Sequence, residues 1–275
     1  MSWLKTFFKS AFQDETEEEQ DDGDLAALLD SAFRAASRGD YETAVAMWRP
    51  LAESGVPQAQ TSLGACCAEG LGTPRDPAAA ASWFRRAAAE GDAVGQRHLA
   101  ALHFKGEGVP QDYEEALRLY RLAAEQGDPA AQDMLSWMLL EGQGGDSDPV
   151  EARRWALAAA EQEIASSMTR LGLIAQDALG MERDSEEAAR WWYEAARRGD
   201  ADGQAMLGAA LHLGAGVEKD DRAALIWLLR ADAAGSALAE RFIGPARDSL
   251  SAEQIAEAEQ AAQRTPYRPG AEVAE

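Results

Sequence analysis

The sequence predicts an all-α fold, an α/α solenoid of about five 36-residue helix-turn-helix repeats with capping helices. Three observations lead there. The first is a set of residue columns that return every 36 positions. A leucine column reads Leu63, Leu99, Leu135, Leu171, Leu207 and ends at Ile243. An alanine column reads Ala80, Ala116, Ala152, Ala188 and Ala224, and a large-residue column reads Trp83, Leu119, Trp155, Trp191 and Trp227. The second is an aspartate column, Asp76, Asp112, Asp148, Asp184 and Asp220, at the start of each second helix, where an N-cap belongs. The third is the punctuation. Gly70-x-Gly72, Gly106-x-Gly108, Gly142-x-Gly144 and Gly214-x-Gly216 supply residues that turn left-handed after a helix.

The elements follow in chain order. Residues 1–12 place Trp3, Leu4, Phe7, Phe8, Ala11 and Phe12 on one stripe of a short amphipathic helix, a docking or membrane-contact segment. Lys9 interrupts its apolar run and no small-residue cleavage site follows, so it is no secretory signal. Residues 13–23 form an acidic, disordered linker; eight acids crowd into residues 14–24. The solenoid is expected over residues 24–264. Asp24 caps a first helix, Gly39 ends it and Asp40 caps a second, which together make an N-terminal capping hairpin. Five units follow near 59–94, 95–130, 131–166, 167–202 and 203–238. In each, the first helix carries the leucine and the second the alanine and the large residues. Pro77, Pro129 and Pro149 stand at the first position of a helix, behind an aspartate cap. Asp112 with Glu115, and Asp184 with Glu187, match capping boxes. The fourth unit departs: Glu163-Ile164 stands for Gly-Asp, and Ala178 for the first loop glycine. Ser251 and Gln254 cap a polar terminal helix, and residues 265–275 form a disordered tail.

Charge and cysteine usage restrict the function classes. The chain carries 26 basic and 48 acidic residues, a net charge of −22. Phosphate backbones are repelled by such a surface, so nucleic acid is not the expected partner; a basic protein is. Cys66 and Cys67 are adjacent and frame no disulfide, as in a reducing compartment, so the expected place is the cytoplasm. Residues 1–12 would allow a position peripheral to the inner face of the membrane.

These columns resemble the Sel-1-like repeat family, an α/α solenoid related to the tetratricopeptide repeats. The motif is carried by Gly106-Glu-Gly-Val-Pro-Gln-Asp112, by Leu207-Gly208 with Gly214-Ala-Gly-Val217 and Asp220, and by Ala80-Ala-Ser-Trp-Phe-Arg-Arg-Ala-Ala88 before Gly91-Asp92. The resemblance covers about residues 40–248 and implies a right-handed superhelix that acts as a protein-interaction adaptor or scaffold. One hydrolase-like branch of the family carries a repeated cysteine pair in its units, which this chain lacks. The usual tyrosine position of the first helix holds Cys67, His103, Leu139, Ala175 and Leu211 instead.

No residue set in the sequence has the spacing of a catalytic or metal centre. His98 and His103 stand five apart without acid or cysteine partners at ligand spacing, and Asp146-Ser-Asp148 lacks the later ligands of a calcium loop. No cofactor, metal or catalytic residue is therefore expected. What remains is surface. In the related superhelix the first helices line the concave face. The residues aligned with it are Arg97, Ala101, Phe104 and Lys105, then Asp133, Trp137, Leu140 and Glu141, then Thr169, Leu173, Gln176 and Asp177. Phe104, Trp137, Leu140 and Leu173 are apolar anchors inside a charged rim, the composition of a partner site for a peptide or helix.

Overall fold

The computed structural model describes residues 18–264, and their side chains from Leu25 onward. The amphipathic segment 1–12, residues 13–17 of the acidic stretch and the tail 265–275 lie outside the described residues. Among the described residues there are fourteen α-helices and no strand. They are α1 (Glu18–Ser37), α2 (Tyr41–Glu53), α3 (Pro57–Glu69), α4 (Pro77–Ala89), α5 (Ala93–Lys105), α6 (Tyr113–Glu125) and α7 (Pro129–Glu141). There follow α8 (Pro149–Glu161), α9 (Ala165–Gln176), α10 (Ser185–Arg197), α11 (Ala201–Leu213), α12 (Asp221–Ala233), α13 (Glu240–Asp248) and α14 (Ala252–Gln263). Residues 18–23, expected as linker, continue α1 as helix, so Asp24 is not its cap. Glu18, Glu19 and Gln20 are good helix formers, and acids in the first turns suit the helix dipole.

Two compact units divide the chain, one up to Ala123 and one from Ala124. In the first, α1 to α5 pack each against the next; in the second, so do α7 to α13, and α14 also packs on α12. Solenoid repeats stack in this way, each element meeting its sequence neighbours.

The punctuation behaves as its chemistry demands. Asp40, Asp76, Asp112, Asp148, Asp184 and Asp220 each accept a hydrogen bond from a first-turn N–H of the second helix. Asp92, Asp128 and Asp200 do the same for first helices. The boxes expected at Asp112 and Asp184 do not take shape as drawn. The cap N–H of Asp112 donates to His103 O, and that of Asp184 to Ala175 O. The Glu115 carboxylate takes Arg118 instead, and that of Glu187 takes Arg153 and Trp191. Among the described residues a full box closes at Ser251 and Gln254.

The leucine and alanine columns are core, at 4% exposure or less from Leu63 to Leu207 and 0% at every alanine. The large-residue column needs a correction. Leu119 and Trp155 are buried, but Trp83, Trp191 and Trp227 are only half-buried. The deepest large residues stand one position later, as Phe84, Tyr120, Trp192 and Leu228, each 3% exposed or less. One residue turns a helix by about 100°, enough to move a side chain from the flank to the centre of the face. Three of them face a glycine of the first helix. A Cβ on Gly64 would stand 2.7 Å from Phe84, one on Gly208 2.7 Å from Leu228, and one on Gly172 would overlap the Trp192 indole. In the third repeat the pair is inverted in size: Ala156 occupies the large position, Ser136 the small one, and the Ser136 hydroxyl donates to Ala152 O at 2.8 Å.

A glutamine column was not foreseen. Gln60, Gln132 and Gln204 each send their amide Nε2 back eight residues, to Ala52 O, Ala124 O and Ala196 O, at 3.1 to 3.2 Å. These bonds satisfy carbonyls at the end of the preceding helix. The fourth repeat places Met168 in this column and secures α9 differently. Asp133 of α7 accepts from Ser166 (3.0 Å), Ser167 (2.5 Å) and Arg170 (2.7 Å). Glu163 and Ala178 keep the left-handed turns that glycine makes elsewhere, with φ of 66° and 57°.

Candidate partner-binding surface

The residues expected on the first-helix face fall in both compact units. In the first, Arg97, Ala101 and Phe104 are half-buried and Lys105 is exposed. The Phe104 ring packs on Tyr113 with centroids 5.3 Å apart. In the second, Trp137, Leu140 and Leu173 are half-buried on α7 and α9, and Glu141 is exposed. Asp133 is committed to Ser166, Ser167 and Arg170 rather than turned outward. Thr169 is buried, its hydroxyl on the Asp200 carboxylate at 2.6 Å.

The same face carries a cavity further along the second unit. It has a volume of about 310 Å³ and lies among α9, α11 and α13. Its floor is the small side of α11: Ala205, Ala209 and Ala210. Gln176 of α9 stands on one wall, and Leu238, Arg241 and Phe242 on the other. Leu213, at the end of α11, is 63% exposed at the rim.

The repeat register gives the floor residues their counterparts. Ala209 is the counterpart of Ala65, Ala101, Trp137 and Leu173, and Ala205 of Thr61, Arg97, Asp133 and Thr169. The third and fourth repeats carry a large apolar residue at the Ala209 position; the first, second and fifth carry alanine. Sequence reasoning looked for bulk as the sign of a site. No single column in the sequence marks the cavity, because alanine also stands at this position in the first and second repeats.

Polar groups frame the cavity unevenly. Arg241 is exposed, and forms no ion pair with the described residues. The Gln176 Oε1 is buried without a hydrogen-bond donor. Behind the wall, Phe242 packs edge-on to His212, with centroids 6.4 Å apart. His212 Nδ1 lies 2.5 Å from Asp221, which also pairs with Lys219 at 3.4 Å. Burial pushes the Asp221 carboxyl up, but the hydrogen bonds from His212 and Lys219 outweigh it and hold the group below its ordinary range. This cluster fixes the turn from α11 into α12 and, through His212, the Phe242 ring.

A second hollow of about 540 Å³ opens on the second-helix side, where Tyr193 of α10 and Trp227 of α12 face it with Glu186 and Arg190. Among the described residues no three His, Cys, Asp or Glu side chains cluster as metal ligands. Cys66 and Cys67 are free and buried, and burial pushes both thiols up, away from the reactive thiolate.

Comparison with known proteins fits this architecture. No curated protein matches the chain. Among solved structures it is similar to a Sel1 repeat protein from Oxalobacter formigenes, with 24% identity, a TM-score of 0.77, and coverage of 88% of this chain and 99% of that one. It is also similar to a protective antigen of uropathogenic Escherichia coli strains that displays an SLR fold, with 28% identity, a TM-score of 0.50, and coverage of 90% of this chain but 62% of that one. The Sel1 repeat model matches residues 57–92, 93–128, 129–163, 165–200 and 201–236, in register with the helix pairs and starting two residues before the boundaries read from the sequence. With five matched repeats spanning most of its length, the chain belongs to the Sel1 repeat family.

Proposed function

We propose that this chain is a non-enzymatic adaptor that holds a peptide or helix of a protein partner on the first-helix face of its repeats. Sel1 repeats are protein-interaction repeats. The observation that carries the reading is the apolar cavity among α9, α11 and α13, on the face where the anchors Trp137, Leu140 and Leu173 also stand. Phe104, with Arg97, Ala101 and Lys105, presents the corresponding positions of the first unit. The net charge of −22 favours encounter with a basic partner. No described helix is long and apolar enough to cross a membrane. Adjacent buried thiols fit a cytoplasmic setting.

The test is selection of a displayed library of random peptides on the full chain. Ala209→Trp should fill the cavity, and the fold already accepts tryptophan at this position of the repeat, as Trp137. Selected peptides should lose at least tenfold in affinity for Ala209→Trp or for Trp137→Ala, with helical circular dichroism preserved. Peptides whose affinity ignores both substitutions would place binding elsewhere and refute the reading.

A further inference from the structure

Building on the adaptor reading, we propose that the cavity among α9, α11 and α13 receives the C-terminal end of a partner chain. The last side chain, apolar and of leucine size, enters the hollow, and its free α-carboxylate pairs with Arg241.

The size and floor of the hollow set the first part. About 310 Å³ sits at the foot of the roughly 300–1,000 Å³ range of ligand pockets, so it suits an anchoring side chain rather than a large cofactor. Alanines form the floor and Phe242 and Leu238 the wall, so the group that fills it is apolar.

Arg241 sets the second part. Arg247, six residues on in the same helix, is paired with Glu259 at 2.7 Å, and Arg230 of α12 is spent on carbonyls of α14. Arg241 stands at the cavity wall without an ion-pair partner among the described residues, in a chain of net charge −22. Its planar guanidinium matches a carboxylate through two parallel hydrogen bonds. The surrounding negative field repels a segment rich in acids. A chain end satisfies both conditions: it brings a single carboxylate, while the residues before it stay neutral or basic.

Gln176 sets the third part. Its Oε1 lacks a donor at the opposite wall. A buried acceptor in that state is costly, and turning the amide toward the backbone N–H of the bound terminal residue relieves it. Apolar side chain, N–H and carboxylate are the three groups that the last residue of a chain presents together.

N-acetyl-L-leucine carries those three groups, and N-acetyl-L-leucinamide lacks only the carboxylate. Both are titrated into the ¹⁵N-labelled full chain and followed by amide shifts of α11 and α13. The acid should bind at least fivefold more tightly than the amide. Arg241→Ala should erase the difference, Arg241→Lys should retain part of it, and Ala209→Trp should abolish binding of both. Equal affinity for acid and amide, or a preference that survives Arg241→Ala, would overturn the proposal. Displayed peptides that need the cavity but carry no free terminal carboxylate would also overturn it, and would leave the adaptor reading standing. If removing residues 265–275 tightened N-acetyl-L-leucine binding tenfold, the chain's own end would be the occupant, and the assignment to a partner would fall.

Discussion

Trp191 and Trp192 are adjacent, yet their environments differ. Trp192 is 3% exposed, covers Gly172 and donates its indole N–H to Thr169 O at 3.2 Å. Trp191 is half-buried and donates to the Glu187 carboxylate at 3.1 Å. Trp192→Ala should therefore cost about 3–5 kcal/mol, as large-to-small core changes do. Trp191→Ala should cost less, because part of its ring is already exposed to water. Urea melts of the two variants decide; an equal loss would mean that both columns are core. The flanking column has its own stabilisation, since Arg86 lies 4.7 Å above the Trp83 ring, Arg154 4.6 Å above Trp155 and Arg230 5.0 Å above Trp227. Such contacts are worth about 0.5–1 kcal/mol at exposed sites.

At the scale of one element, α9 shows how a repeat tolerates drift. It lacks the aspartate cap of α5, α7 and α11, since Ile164 stands there with no side-chain cap bond. Met168 replaces the glutamine that secures other first helices. The Asp133 cluster replaces both anchors, with Arg170 and Asp133 only 11% and 19% exposed. The turns flanking α9 still follow the glycine geometry with Glu163 and Ala178. Left-handed backbone costs an L-residue with a Cβ roughly 1–2 kcal/mol, part of which glycine returns through the entropy of the unfolded chain. Ala178→Gly should thus stabilise the protein by about 1 kcal/mol. Thermal melts that show a loss of stability would mean that the alanine methyl makes a contact worth more than the strain.

For the whole molecule the dominant electrostatic fact is the excess of 48 acids over 26 bases. Most of the ion pairs among the described residues are exposed on at least one side, and pairs of that kind contribute at most about 1 kcal/mol each. Net repulsion should outweigh them. Raising sodium chloride from about 0.01 to about 0.15 M shortens the screening length from about 30 to about 8 Å. The melting temperature should then rise by a few degrees. A fall would show that favourable pairs outweigh the repulsion.

The sequence by itself determined the helices, their caps and turns, the period and the family. These depend on local chemistry and on neighbour contacts, and a repeat prints both into the chain at fixed spacing. The Asp76 and Gly70 columns could be read without knowing where any helix lay in space. Tertiary structure alone decided which of two adjacent columns reaches the core. Trp83 and Phe84 differ by about 100° around one helix, and only the glycine opposite, Gly64, shows which of them fits beneath it. It alone decided the cavity too. Ala205 and Ala209 read in sequence as filler. They border a hollow together with Gln176 of α9 and Phe242 of α13. A void enclosed by three helices is recorded in no single one of them.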